Sequence, residues 1–349
     1  MSAPPLRFAF LVYLGRSGST YLSRQLDGAS QDVLVTPELN FAVSAALAGD
    51  AAVRALAPEA LVRFVRHDLQ IANLDLPDDQ LDALVRGCAG QGVRALCETL
   101  VRAHAQKRGR EPRIVVIKKS VAQLAAGKLE AVFPEVVFIH VRRDARAVVN
   151  SLIHTESVYD PGVQLGRGDP VHAARMWVRQ LDSVAALARR EPGRVIEVAY
   201  ESLIRAPEET LARLMAELSA KSGVPLRAAA GDAGFVVPER ERGLHRLVTG
   251  APVEARTEGW QVELGRANGI AVESIAKDWL ARCGYEPYFL RGQGAATIAA
   301  ARARAELAHA GITARHYAWR AGILAKLLFR DPGLAGARLR EALFQRFGG

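Results

Sequence analysis

Short apolar runs, separated by stretches with helical spacing, set the hydrophobic pattern of this chain. Four runs have the length of buried strands: Phe8–Leu14, Arg113–Ile117, Val136–Val141 and Val195–Tyr200. Between them, apolar residues recur three and four positions apart, as on amphipathic helices. Strands that alternate with helices are typical of a parallel sheet with helices on both faces. The pattern therefore predicts a three-layer α/β/α fold with a central parallel sheet.

The longest helical stretch, residues 43–108, lies between the first two of these strands. Its spacing favours helices packed on the sheet, and a lid or an acceptor wall is the alternative. Two later helices are predicted to begin at prolines, at Pro170–Arg190 and Pro207–Gly223. Two glycine-containing segments without periodicity are predicted to be loops, at 159–170 and 231–258.

Charge is unevenly distributed over the 349 residues, which carry a formal net charge of +9. Residues 291–349 hold ten Lys/Arg and three Asp/Glu, so little excess remains for residues 1–290. We predict a main domain at 1–290 and a basic helical C-terminal extension at 291–349. The extension mixes basic and apolar residues. Its packing on the domain or in a homodimer is favoured, and peripheral contact with a membrane surface is the alternative.

The cysteine content and the N-terminal sequence indicate the cellular compartment in which the protein is expected. Cys88, Cys97 and Cys283 are too few and too scattered for a disulfide framework or a zinc site. No signal-peptide hydrophobic region precedes the first apolar run, which is too short to span a bilayer. We therefore expect a cytoplasmic protein that needs no metal.

Candidate chemistry begins at residues 15–21, Gly-Arg-Ser-Gly-Ser-Thr-Tyr, between the first strand and the first helix. Glycine lets a ligand approach the backbone, and the first N–H groups of a helix bind anions. Arg16 adds a cation. The loop lacks the Gly-Lys-Ser/Thr of a Walker A sequence, which argues against an ATP γ-phosphate site. It therefore predicts binding of a different phosphate-like group, by Arg16, Ser17, Gly18, Ser19, Thr20 and Tyr21.

A second candidate anion site follows the third predicted strand, at residues 142–151. Arg143 stands at the carboxyl end of the strand, where open α/β sheets bind ligands. Ser151 follows about two helical turns later. A guanidinium and a hydroxyl together suit a phosphate monoester. The alternative is an exposed basic turn in which Asp144 caps the helix.

The two stretches together resemble the cofactor signature of sulfotransferases that use 3′-phosphoadenosine 5′-phosphosulfate (PAPS). Three further segments resemble family elements: Ala-Tyr-Glu-Ser-Leu at 199–203, Gly-Trp at 259–260 and Gly-Tyr-Glu-Pro-Tyr at 284–288. The five motifs occur in family order over roughly residues 6–290. The resemblance implies the P-loop NTPase-like sulfotransferase fold. It also implies sulfuryl transfer from PAPS to an acceptor hydroxyl, with 3′-phosphoadenosine 5′-phosphate (PAP) as product.

The resemblance also implies roles for individual residues. The 15–21 loop would bind the 5′-phosphosulfate. Arg143 and Ser151 would bind the 3′-phosphate, which Arg256 would reach from a closing loop. Tyr200 or Trp260 would contact the adenine.

Glu38 is the candidate general base. It lies after the first helix, in a placement similar to the catalytic glutamate of tyrosylprotein sulfotransferases. The alternative is a surface glutamate that starts a helix after Pro37. His154 is the rival base, whereas His140, within a predicted strand, is expected to be structural.

Lys118 and Lys119 resemble the family's active-site lysine corner, without its proline. Strand alternation sends neighbouring side chains to opposite faces, so one of the two is expected at the site. Counting back from Phe133-Pro134 favours Lys118, and the Lys-Ser pattern favours Lys119. This lysine and Arg16 are expected to stabilise charge on the departing oxygen in the transition state.

Two other interpretations come from different functional classes. An ATP-dependent small-molecule kinase conflicts with the missing Walker lysine and with the second phosphate site. A non-catalytic protein that binds nucleic acid or a membrane conflicts with the small charge excess of residues 1–290. The acceptor stays open among carbohydrates, lipids, small molecules and peptide tyrosines.

Overall fold

The computed structural model describes residues 5–68, 70–157, 164–227, 258–330 and residue 336. Several sequence predictions fall outside these residues. They are Arg256, nearly all of the predicted 231–258 loop, half of the 159–170 loop, and the C-terminal extension beyond residue 330 apart from residue 336.

A parallel sheet of five strands, in the order β2-β3-β1-β4-β5, forms the centre of the described structure. The strands are β1 (Arg7–Tyr13), β2 (Val33–Glu38), β3 (Ile114–Lys118), β4 (Val137–Arg142) and β5 (Val195–Ala199). β1, β3 and β4 are almost wholly apolar and buried, as a sheet covered on both faces requires. The predicted α/β/α class is confirmed.

Helices surround this sheet. In chain order they are α1 (Ser19–Ala29), α2 (Phe41–Ala48), α3 (Asp50–Arg54), α4 (Pro58–Arg66), α5 (Asp78–Gly87), α6 (Val93–Lys107), α7 (Ala126–Val132), α8 (Ala145–His154), α9 (Pro170–Arg190), α10 (Tyr200–Arg205), α11 (Pro207–Ser222), α12 (Trp260–Glu263), α13 (Arg266–Arg282) and α14 (Ala295–Arg330). Two 3₁₀ helices lie at Ile71–Leu74 and Ala122–Ala125. Both helices predicted to begin at a proline, α9 and α11, are confirmed.

β2 is a strand that the sequence pattern did not predict. It lies at the edge of the sheet, where a proline is tolerated, and Pro37 is its penultimate residue. Its register with β3 shifts by one residue between Val35 and Glu38. Such a bulge turns the following side chain to the opposite face. Glu38 therefore ends a strand, and the alternative in which Glu38 starts a helix after Pro37 is wrong.

The sheet alternates between two cores. Phe8, Phe10 and Val12 face the helices of the 43–108 insertion, whereas Leu11 and Tyr13 face the side of α1 and α11. The insertion contributes many buried residues to the first core, among them Leu61, Leu81, Val93, Leu96 and Leu100. Packing on the sheet, the favoured prediction for this insertion, is confirmed.

The first half of α14 packs against the main domain. Ile298 and Ala301 join a core cluster formed largely by α8, α9 and α13. His309 Nδ1 lies 2.5 Å from the carboxylate of Asp169, the residue that caps α9. Further along, Trp319 is 42% exposed. The predicted packing of the extension on the main domain is thus confirmed for the first half of α14. Within the described ranges, every helix is too short or too polar to span a membrane.

Candidate active site

The β1–α1 loop has the backbone shape of an anion cradle. Arg16 and Gly18 both adopt left-handed conformations, with φ of 71° and 89°. The Ser17 N–H donates to the Leu14 carbonyl at 3.2 Å, which closes the turn. α1 begins directly after Gly18, and the hydroxyl-bearing residues of the loop are buried: Ser17, Ser19 and Thr20. The N-terminal N–H groups of α1 therefore stand at the carboxyl edge of the sheet, where they can bind an anion.

Gly18 is required at its position for two reasons. Its positive φ disfavours any residue with a Cβ. A Cβ there would also lie 2.1 Å from a ring carbon of Tyr200, the first residue of α10. The Tyr200 ring therefore packs directly on the loop backbone.

Replacing Gly18 by alanine is expected to destabilise the protein by about 1–3 kcal/mol from the strained backbone alone, with a further cost from the Tyr200 clash. Urea unfolding measures the change in the free energy of unfolding. Gly15→Ala is the matched control, because a Cβ at Gly15 meets only Leu152, at 3.8 Å. Equal stability of the two variants would contradict this account of the loop.

On one flank of the loop, the ends of β1, β2 and β3 bring three polar side chains together. Glu38 and Lys118 are partners in the β2–β3 register. The Tyr13 hydroxyl donates to Glu38 Oε2 at 2.9 Å. Lys118 Nζ donates to Thr20 Oγ1 at 3.0 Å and lies 5.5 Å from the centre of the Tyr13 ring. A carboxylate and an ammonium group thus stand side by side next to the loop.

Lys119 points to the other face of the sheet, as strand alternation requires. Its Nζ donates to Asn40 Oδ1, and the Asn40 side-chain amide donates to Asp68 Oδ1 at 3.1 Å. Asp68 Oδ2 also accepts the Phe41 N–H at 2.8 Å, and burial raises the pKa of its carboxyl. Lys119 therefore belongs to a buried hydrogen-bond network with Asn40 and Asp68. Lys118 instead faces the β1–α1 loop.

The other flank of the loop carries a cluster of positive charge. Arg16 Nε donates to Ser151 Oγ at 2.9 Å, and Arg143 Nη1 donates to the Arg16 carbonyl at 3.2 Å. The Arg143 guanidinium lies 4.6 Å from the centre of the Tyr200 ring. Burial, and then the nearby Arg143, lower the pKa of Arg16. The protonated cation is thus disfavoured here, and a bound anion would stabilise it.

The structure brings Arg16, Arg143 and Ser151 together, as the anion-site prediction requires. The Arg16 side chain bonds to Ser151 of α8, whereas Lys118 bonds to Thr20 of α1.

The other motifs hold the Arg143 segment in place. Asp144 caps α8 by accepting the Arg146 N–H at 2.8 Å. Glu201 accepts the Asp144 N–H at 2.9 Å and the Tyr285 hydroxyl at 2.8 Å. The Trp177 indole donates to the Arg143 carbonyl at 2.9 Å. The Tyr-Glu-Ser-Leu and Gly-Tyr-Glu-Pro motifs thus meet at one position, where they fix the backbone next to Arg143.

Trp260, the other candidate for the adenine contact, packs against the protein's own side chains. It is buried, the Arg146 guanidinium lies 4.1 Å from its ring centre, and Tyr288 and Phe289 pack against the ring. Its surface is already covered by the protein's own side chains. The contact of Tyr200 or Trp260 with the adenine stays a prediction.

The two histidines differ in exposure. His154, the rival base, is exposed at the end of α8, and its Nδ1 lies 2.9 Å from the Asn150 carbonyl. His140 is 1% exposed, and burial lowers its pKa to about 3. His140 is therefore a neutral core residue, as predicted. Among the residues described, no group of three or more His, Cys, Asp or Glu side chains is placed to hold a metal ion.

A comparison with models of protein families shows which family this chain belongs to. The model of the sulfotransferase family matches residues 9–221, which is more than half of the sequence. The chain belongs to the sulfotransferase family. The matched span includes both flanks of the β1–α1 loop, with Glu38, Lys118, Arg143 and Ser151. Membership supports sulfuryl transfer as the general chemistry of this protein.

A sulfotransferase relative matches over a limited span. A putative protein-tyrosine sulfotransferase of Caenorhabditis elegans is 31% identical over 86 residues, which cover 25% of this chain and 32% of that protein. The chain thus spans about a third of the length of the curated relative that it matches.

Two solved sulfotransferase domains share the fold. The domain from the curacin biosynthetic pathway aligns with 82% of this chain and 100% of its own, at 16% identity and a TM-score of 0.53. The domain from the olefin synthase of Synechococcus PCC 7002 aligns with 82% and 98%, at 19% identity and a TM-score of 0.54. They confirm the predicted sulfotransferase fold.

Sequence reasoning missed Tyr13, which lies in this candidate site next to Glu38. The available signal was its position, since it is the last residue of β1 and lies just before the loop. Polar side chains at the carboxyl ends of parallel strands face the ligand edge of the sheet. In the sequence alone, Tyr13 is simply one residue of the apolar run Phe8–Leu14.

Proposed function

We propose that this sulfotransferase takes the sulfuryl group from PAPS and transfers it to an acceptor hydroxyl. The observation that carries this proposal is the pair of cationic centres that flank one glycine loop. Lys118 lies with Thr20 on one flank. Arg143, Arg16 and Ser151 lie on the other. A nucleotide with phosphoryl groups at both its 5′ and its 3′ positions matches two centres.

The loop residues fit such a donor. Gly18 lets the loop take its left-handed turn, and the buried hydroxyls next to it can donate to phosphate oxygens. We assign the 5′-phosphosulfate to Ser17, Ser19, Thr20 and the N-terminus of α1. The 3′-phosphate is assigned to Arg143, Ser151 and Arg16. Tyr200 and Tyr21, next to the loop, are assigned to the nucleoside.

The polar cluster at the strand ends supplies the chemistry. Glu38 takes the proton from the acceptor hydroxyl, whose oxygen then bonds to sulfur while the bond from sulfur to the bridging phosphate oxygen breaks. Lys118 stabilises the negative charge that develops on this oxygen, so it acts more strongly in the transition state than in the ground state. Arg16 is moved from this role to the 3′-phosphate, because its side chain lies with Ser151.

The insertion is proposed as one wall of the acceptor pocket. Its 3₁₀ helix at Ile71–Leu74 lies against β2, and the Asn73 side-chain amide donates to the Glu38 carbonyl at 3.2 Å. An acceptor that reaches the Glu38 carboxylate would therefore meet this segment. We keep residues 1–290 as the sulfotransferase domain and 291–349 as an extension, with homodimer or membrane contact proposed for its exposed part.

The 3′-phosphate assignment predicts a ligand preference. PAP should stabilise the protein far more than ADP or AMP does. Saturation at a hundred times Kd adds about 2.7 kcal/mol to the free energy of unfolding. Arg143→Gln should weaken PAP binding by about 10- to 100-fold and leave AMP binding nearly unchanged. Thermal shift and titration calorimetry measure both effects.

The matched control for this prediction is Arg142→Gln. Arg142 is the neighbouring residue, but its guanidinium faces Tyr285 and Glu197 rather than the loop. Its replacement should leave the PAP preference intact. Equal stabilisation of the wild-type protein by PAP and ADP would overturn the assignment of PAPS as donor.

A further inference from the structure

The hydrogen bond between Tyr13 and Glu38 has a consequence for the reaction. The hydroxyl of Tyr13 donates to one carboxylate oxygen of Glu38, Oε2, at 2.9 Å. We infer that Tyr13 is a positioning residue: it fixes the Glu38 carboxylate so that the other oxygen, Oε1, receives the acceptor proton. This role rests on the proposed function of Glu38 as the general base.

Glu38 needs such a support because of its place in the fold. It ends an edge strand, directly after Pro37 and after the register shift of β2 against β3. Its side chain has three rotatable bonds and is half-buried. The Asn73 side-chain amide donates to the backbone carbonyl of Glu38, so this bond does not orient the Glu38 carboxylate. A proton acceptor that rotates freely spends little time in productive geometry.

Tyr13 is a rigid support. It lies at the end of the central strand β1 and is 4% exposed. Its ring packs in the core shared with α1 and α11, and Lys118 Nζ lies 5.5 Å from the ring centre. A tyrosine has only two side-chain torsions to fix. The phenol therefore locates the Glu38 carboxylate relative to Lys118, the cation proposed for the departing oxygen.

Tyr13→Phe tests this role, because it removes the hydroxyl and keeps the ring. We expect kcat to fall by about 10- to 100-fold, with KM for PAPS unchanged. A fall in kcat at constant KM for PAPS separates lost positioning of the base from lost nucleotide binding.

Tyr285→Phe is the matched control. It removes an equivalent phenol–carboxylate hydrogen bond, to Glu201 at 2.8 Å, away from Glu38. Because Tyr285 and Glu201 fix the backbone next to Arg143, this variant should lose stability and raise KM for PAPS, with little change in kcat. If Tyr13→Phe kept the wild-type kcat, Tyr13 would not be a positioning residue.

The Glu38→Gln variant distinguishes a failure of the positioning role of Tyr13 from a failure of the base assignment of Glu38. If that variant is inactive while Tyr13→Phe behaves as wild type, the positioning role fails and the base assignment stands. If Glu38→Gln keeps full turnover with PAP bound normally, the base assignment fails, and the role of Tyr13 fails with it.

Discussion

Replacing Glu38 by glutamine is expected to lower kcat for sulfuryl transfer by about 10²- to 10⁴-fold, the usual contribution of a general base. Glutamine keeps the shape of the side chain and can still accept the Tyr13 hydrogen bond, but it cannot take a proton. The rate of PAP release is measured with the acceptor that turns over fastest in a panel of hydroxyl compounds. Glu38 is assigned no contact with the nucleotide, so PAP affinity should stay at the wild-type value.

His154→Gln is the control for this prediction. His154 is exposed at the end of α8, and its Nδ1 lies next to the Asn150 carbonyl. We therefore expect the variant to keep its turnover. Loss of activity in His154→Gln together with full activity in Glu38→Gln would assign the base to the histidine.

Replacing Lys118 by methionine is expected to lower kcat by about 10²- to 10³-fold, the cost of removing one preorganised group that stabilises transition-state charge. Methionine fills a similar volume, so the loss reports on the charge rather than on packing. Because Lys118 also donates to Thr20, PAP affinity should weaken as well, but by much less than kcat. Single-turnover kinetics with PAPS separates the chemical step from nucleotide binding.

Lys119→Met is the matched variant, since the two lysines are adjacent and equally buried, each 4% exposed. Lys119 faces Asn40 on the opposite side of the sheet. Its loss should lower the free energy of unfolding by about 1–3 kcal/mol and change kcat only a few-fold. The reverse result, with the larger kinetic loss at Lys119, would place the active-site lysine there.

The sequence was sufficient for the fold class and for most of the candidate site. The apolar runs at β1, β3, β4 and β5 were correct to within one residue at their ends. For β1, β3 and β4 the reason is that buried parallel strands are continuous apolar segments. The prolines marked the starts of α9 and α11 through their fixed φ. The Arg143 stretch could be read because its residues lie on one strand end and the helix that follows it.

The sequence pattern did not predict β2 for a physical reason. A six-residue edge strand that contains a proline has little of the strand signal. A tryptophan next to a glycine motif looks the same in the sequence whether its ring meets a ligand or the protein's own side chains. The packing of Arg146, Tyr288 and Phe289 around Trp260 is visible only in the tertiary structure.

By itself, the sequence determined a parallel α/β domain, a glycine-containing loop between β1 and α1 and the residue types beside it, because these follow from local periodicity and turn chemistry. The tertiary structure alone decided which side chains meet. Strand order places β2 next to β3, and the register shift turns Glu38 onto the face of Lys118 and Tyr13. Alternation turns Lys119 away. Such pairings depend on register across the sheet, and a single chain segment carries no record of it.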